Sequence, residues 1–230
     1  MASVALIGPD GAGKTTLTRM LEESGLLPFK YIYMGIDIRA SNHALPTSRL
    51  AEKIKARTGR QERRPPARSG GSPARPRKRG AGQAVRGMAR LANRLADEWY
   101  RQAVSWWYQA RGFTALYDRH FVFDFTLELS GDAAEPLDRR LHRWCLSRLY
   151  PRPDVVIFLD APGELLFARK GELTVDELER RRQAFLRLGS KTRGFVRVDA
   201  TRPLPDVYEA VAGHILQAIN GHQRLAAHDA

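Results

Sequence analysis

The chain has 230 residues, enough for one ample α/β domain with a core of its own, and its 43% hydrophobic and 27% charged residues are the balance of an ordinary globular protein. One cysteine, Cys145, excludes a disulfide framework and a cysteine zinc cluster, and no apolar run reaches the roughly 18 residues of a membrane span. The first residues, MASVALIGPDG, lack the basic region and long apolar stretch of a signal peptide, so a cytoplasmic location without membrane contact is expected, and the net charge of +13 raises the question of an anionic partner.

Residues 3–8 (SVALIG) form a short uncharged apolar run, the pattern of a buried parallel strand. Residues 14–23 read as a helix stopped near Gly25, and the aromatic and β-branched run 29–34 (FKYIYM) as a second strand. A polar loop and a short helix near 48–57 follow. Residues 59–87 then hold nine basic residues against one acid, Glu62, so this stretch carries +8 of the total and leaves +5 for the rest. With Pro65, Pro66, Pro73 and Pro76 and few aliphatics, it cannot fold alone and is expected to be a disordered insertion. It has no interleaved aromatics for stacking on bases, so a solvated tether is favoured over a nucleic-acid grip.

From 88 to 111, Met88, Leu91, Leu95, Trp99, Ala103, Trp106 and Ala110 recur at three and four, predicting a long amphipathic helix halted by Gly112. Residues 113–117 are a third strand running into Asp118 and Arg119, and 136–150 a helix broken by Pro151 and Pro153. The run 154–159 (DVVIFL) is the clearest strand. Pro162 starts a helix reaching Lys170, and Thr174 with Glu177 forms a capping box opening a charged helix to about Leu188. A fifth strand at 194–198, a helix at 205–219 and a flexible tail at 221–230 complete the chain. Strands alternating with helices predict an α/β fold, a five-stranded parallel sheet covered on both faces, in a single domain with one insertion.

Gly8-Pro9-Asp10-Gly11-Ala12-Gly13-Lys14-Thr15 matches G-x-x-x-x-G-K-[ST] at every fixed position, between a buried strand and a helix. Glycines let successive N–H groups curl around a phosphate, and the helix N-terminus adds partial positive charge. Lys14 can bridge the β- and γ-phosphates of ATP and the Thr15 hydroxyl can ligate Mg²⁺, with Gly8, Asp10, Gly11, Ala12, Gly13 and Thr16 completing the nucleotide-binding set. No N-K-x-D element reads guanine, and no apolar strand ends in the adjacent carboxylates usual in motors. A compact kinase remains. Asp118 and Arg119 stand at the carboxyl end of a strand, where open α/β sheets place ligands. There an arginine can clamp an acceptor phosphate, and an aspartate can hold a Mg²⁺-bound water or orient the attacking oxygen.

GPDGAGKTT, YDRH at 117–120, RPDVVIFLDAP at 152–162, the Arg-rich segment 169–182 and VDATRPLPDV at 198–207 together resemble the thymidylate kinase family of P-loop nucleoside monophosphate kinases, and in particular its divergent thymidylate-kinase-like branch. The resemblance spans nearly the whole chain outside 35–87. It implies the three-layer P-loop NTPase fold, ATP and Mg²⁺ as donor and cofactor, and the same roles for Asp118 and Arg119. It implies a mobile lid at 169–182. One subtype of the family carries an arginine in the P-loop where Gly11 stands here, so lid cations are expected to supply the catalytic charge: Arg169 and Lys170 first, then Arg180, Arg181 and Arg182. It places Asp10 toward an acceptor sugar hydroxyl, the 198–201 turn beside the adenine, and a two-fold dimer on the 88–111 helix.

The chain departs from the family on the acceptor side. Residues 33–39 (YMGIDIR) replace an R-E-P-G-G-T-like segment, and 121–125 (FVFDF) replace the serine and A-Y-Q that follow D-R-[YH]. Arg39, Arg101 and Asp124 are candidates for a rebuilt acceptor pocket. Trp99, Trp106 and Trp107 read as core or dimer contacts rather than base stackers, Cys145 as an inert core residue, and Asp160 as a helix-start residue rather than a metal ligand. The expected activity is transfer of the ATP γ-phosphate to a small acceptor of nucleoside monophosphate type. The alternatives are a kinase of a sugar or polymer precursor, and an ATP-switched nucleic-acid-binding protein.

Overall fold

The computed structural model describes residues 2–37, 40–49, 81–128 and 137–228. Five parallel strands, β1 (Ser3–Ile7), β2 (Phe29–Tyr33), β3 (Thr114–Asp118), β4 (Val155–Asp160) and β5 (Phe195–Asp199), form one sheet in the order β2-β3-β1-β4-β5. Alternate strand residues face opposite sides, and each side has its own core. Val4 and Leu6 of β1, with Val155, Ile157 and Leu159 of β4, pack against Leu17 and Leu21 of α1 (Lys14–Glu23) and Val207, Val211 and Ile215 of α7 (Leu204–His228). Ala5, Ile7, Val156 and Phe158 face the other way. They meet residues of α2 (Ala81–Ala110), α3 (Phe121–Glu128), α4 (Leu137–Arg148) and α6 (Val175–Gly189). The α/β architecture with helices on both faces of a parallel sheet is therefore as expected.

Four boundaries differ. Helix α2 opens at Ala81, seven residues inside the segment predicted to be a disordered insertion. Pro76 is the last proline before it, and nothing beyond that point blocks the i→i−4 ladder. Helix α7 likewise runs through the expected tail to His228, since Gly221 costs a helix only about 1 kcal/mol and its neighbours Gln217, Gln223, Leu225 and Ala226 favour the helix. Helix α3 was not expected: FVFDF reads as strand by composition, but the turn closes through Phe123 N–H and Asp124 N–H on the His120 carbonyl. The helix expected at 48–57 begins at 46, and beyond 49 it lies outside the described residues, as do most of the basic insertion and Arg39.

The capping box is half formed, with Glu177 N–H donating to Thr174 Oγ1 at 3.2 Å. Before it, α5 (Gly163–Lys170) ends on Gly171 in the left-handed conformation. Register aligns one end of the sheet: Leu6 pairs with Asp118, Tyr33 with Asp118, and Asp160 with Asp199, so three carboxylates stand at the carboxyl ends of β3, β4 and β5.

Candidate active site

The loop between β1 and α1 turns through Gly11 and Gly13, with φ of 88° and 90°. At Gly11 two constraints coincide: the left-handed backbone, and a Cβ position 2.6 Å from the Leu166 carbonyl of α5. An arginine cannot occupy this position without moving α5. Ala12 N–H closes the turn on the Pro9 carbonyl at 3.3 Å, and Lys14 opens α1 with its ammonium buried and donating to the same carbonyl at 2.7 Å. Burial, and then the nearby Arg119 guanidinium, push the Lys14 pKa down to about 7 against the pull of Asp10, Asp118 and Asp124. The loop thus holds one buried ammonium at a helix N-terminus with no acid in hydrogen-bond contact among the described residues, an arrangement suited to phosphate oxygens.

Asp118 is fully buried at the end of β3. Its Oδ2 accepts from Thr15 Oγ1 at 2.5 Å and from the Tyr31 hydroxyl at 3.2 Å, while its Oδ1 has no hydrogen-bond partner among the described residues. An orphaned buried carboxylate oxygen costs about 1–3 kcal/mol unless something binds it. Together with the Thr15 hydroxyl it suits a hard divalent cation that keeps its waters and takes its other ligands from phosphates. No group of three or more His, Cys, Asp or Glu residues forms an all-protein metal cage among the described residues. Tyr31 was missed in the sequence. The signal available was the period of two that puts Tyr31 and Tyr33 on one face of β2, next to β3.

Arg119 has φ of 67°, in the left-handed region that a non-glycine residue seldom occupies, and such strain concentrates at functional sites. Its guanidinium donates to Asp10 Oδ1 at 2.6 Å. Gly35 makes room for it, since a Cβ there would collide with the Tyr33 ring and the Arg119 Cδ. Asp10 also faces Lys170 at 3.8 Å and Arg181 at 3.6 Å. Burial alone would raise its pKa, but Arg119, Lys14 and Lys170 outweigh it and hold Asp10 at about 2.

These groups line an open cavity of about 520 Å³ at the carboxyl ends of β1–β3, bounded by Gly8, Asp10, Thr15, Tyr33, Asp37, Arg119, Asp124, Lys170, Glu172 and Arg181. Of the expected cations, Lys170 and Arg181 reach it. Arg169 lies on the exposed face of α5 and is not part of the lining. Arg180 is exposed and paired with Glu177. Arg182 turns away to Asp160, donating from Nε at 2.5 Å and from Nη2 at 3.1 Å. Asp160, expected to start a helix, instead holds Arg182 and Arg197 together (Nε of Arg197 at 2.6 Å) at the end of β4. Thr16 is exposed on α1, and the 198–201 turn, closed by Thr201 on Asp199 Oδ1, lies outside the cavity lining.

Of the acceptor-side candidates, Asp124 lines the cavity and Arg101 does not. Arg101 is buried, paired with Asp97 at 2.7 Å, and donates to the Gly35 carbonyl at 2.8 Å and the Tyr33 carbonyl at 3.3 Å. It pins the segment after β2. His120 is sealed among Tyr117, Phe121 and Phe123, with neither ring nitrogen hydrogen-bonded among the described residues; burial and then Arg101 push its pKa down to about 3, so it packs as a neutral ring. Cys145 is a core residue, as expected. Trp99 stacks near Tyr150 with centroids 4.8 Å apart, whereas Trp106 and Trp107 are about half exposed. No described helix is long and apolar enough to cross a membrane. No protein-family model matches the chain, and a search of curated proteins finds no match.

Proposed function

We propose that the chain is a P-loop kinase, a phosphotransferase that moves the γ-phosphate of Mg²⁺-ATP to a small acceptor held in the cavity beside Arg119. The observation that carries this reading is the convergence of the 8–15 loop with the orphaned Asp118 Oδ1, bridged through Thr15. Lys14 and the loop N–H groups would bind the β- and γ-phosphates, and Thr15 and Asp118 would hold Mg²⁺ directly or through its waters. Bound there, the metal would supply charge neutralisation to the phosphates. Lys170 and Arg181, from the segment likened to a lid, stand over Asp10 and would take the γ-phosphoryl charge in its place. Catalysis is then positioning and electrostatics rather than covalent chemistry. Lys14→Ala is expected to lower ATP-to-ADP turnover at least about 100-fold, as loss of one preorganised donor does, with thermal unfolding unchanged. Turnover retained in that variant contradicts the mechanism.

A second copy of the chain is the proposed partner. Helix α2 buries Asp97, Glu98, Arg101, Gln102 and Ser105 on its inner face and leaves Val85, Met88, Tyr100, Trp106 and Trp107 exposed on its outer one. The same helix also packs Leu91, Leu95 and Trp99 inward, so the exposed side chains form a second apolar stripe, which a helix facing only solvent would not carry. Sedimentation is expected to give a dimer for the wild type and a monomer for Trp106→Glu.

A further inference from the structure

We infer that Tyr31 is a positioning residue for the divalent cation: its hydroxyl, together with that of Thr15, fills one oxygen of Asp118 and so leaves the other, Oδ1, for the metal or its waters. This rests on the kinase reading and adds a residue to the metal side of the same site. The Tyr31 hydroxyl donates to Asp118 Oδ2 at 3.2 Å, and Thr15 Oγ1 donates to the same oxygen at 2.5 Å. Each oxygen of an ionised carboxylate offers about two acceptor positions. Both positions on Oδ2 are therefore taken, one from α1 and one from β2. The open ones are on Oδ1, which is buried and has no partner among the described residues. A carboxylate held by one donor can swing about that bond. Two donors from different elements fix its plane.

The fold holds Tyr31 in place for this contact. It pairs with Leu116, two residues before Asp118, and so shares the sheet face on which Leu116 packs with Leu17 and Leu21 of α1. Two residues along a strand is roughly 6.6 Å, a span that a phenol bridges and a serine or threonine hydroxyl does not. Strand β2 is an edge of the sheet, and the Tyr31 backbone is tied on its outer side as well. Its N–H donates to Glu22 Oε1 of α1 at 3.1 Å, and its carbonyl accepts from Asn42 Nδ2 at 2.8 Å. The ring is therefore anchored to the same helix that carries Thr15. Tyr31 does not line the cavity, whereas Tyr33, its neighbour on the same face of β2, does. Its hydroxyl thus acts through Asp118 and not on a bound substrate. For packing alone, phenylalanine would serve equally well at this half-buried position.

The experiment measures ATP binding to the full chain by calorimetry, once with excess Mg²⁺ and once with excess EDTA, for the wild type and Tyr31→Phe, beside a thermal unfolding scan of each. The ratio of the two dissociation constants isolates what the metal adds. Tyr31→Phe is expected to weaken Mg²⁺-ATP about tenfold, the usual cost of removing an outer hydrogen bond to a group that holds a metal. Its Kd for metal-free ATP and its unfolding temperature are expected to match the wild type. Equal weakening with and without Mg²⁺ would make Tyr31 a support of the loop, and no weakening in either would make it a packing residue; both results overturn the inference. A wild type that binds ATP equally well with and without Mg²⁺ also overturns it, while keeping the loop as a nucleotide site. A wild type that binds no ATP overturns the kinase reading and the inference with it.

Discussion

Asp10 shows how much one side chain organises before any ligand arrives. A single carboxylate, almost buried, collects Arg119, Lys170 and Arg181 within 4 Å. Its folded pKa of about 2 lies below the usual 3.8, so its stabilising contribution is complete above about pH 4 and lost as the pH falls toward 2. Asp10→Asn is therefore expected to cost on the order of 2 kcal/mol at pH 7, with the penalty shrinking below pH 4, as read from urea unfolding at a series of pH values. The 8–15 loop was legible in the sequence because its chemistry is local: glycine spacing, lysine and threonine follow one another in the chain. The partners of Asp118 were only half legible. Thr15 was named, but Tyr31 reaches Asp118 across a parallel strand pair, and register of that kind is set by the fold and not by nearby residues. Arg169 was placed ahead of Arg181 for want of the same information, since which of α5 and α6 turns an arginine toward the cleft depends on how the two helices dock.

At the scale of elements, the docking of α6 is decided by Asp160. It is buried at the end of β4 and takes Arg182 from α6 and Arg197 from β5, while Leu178 and Phe185 bury the apolar side of the same helix. Arg181, the next residue along, is thereby aimed at Asp10. Asp160→Asn keeps the shape and removes the charge. It is expected to lower stability by about 1–3 kcal/mol and to lower kcat several-fold with ATP affinity nearly unchanged. An unchanged kcat in a destabilised variant would show that the clamp holds the fold without positioning Arg181. The strands and most helices were readable from apolar runs, turn residues and the capping box. Helix α3 was not, because the run Phe121, Val122, Phe123 is apolar without a period, and tertiary packing against Tyr150 and Tyr117 chose helix over strand.

For the whole molecule, the sheet brings three chain segments far apart in sequence to one edge: the loop after β1, the end of β3, and the α5–α6 turn. The loop after β1 and the Asp118-Arg119 pair belong to the segments in which the sequence resembles the thymidylate kinase family, whereas Tyr33, Asp37 and Asp124 of the cavity lining stand where that resemblance breaks. The +13 charge does not describe this cavity, whose described lining carries more acids than bases. The proposed kinase activity requires that the 8–15 loop bind Mg²⁺-ATP. The most direct measurement is a calorimetric titration of wild type and Lys14→Ala with Mg²⁺-ATP, beside a thermal unfolding scan of each. Saturable one-site binding in the wild type, weakened at least about 100-fold in Lys14→Ala with the unfolding temperature unchanged, is the predicted result. Equal affinity in both, or no binding to a folded wild type, would contradict it.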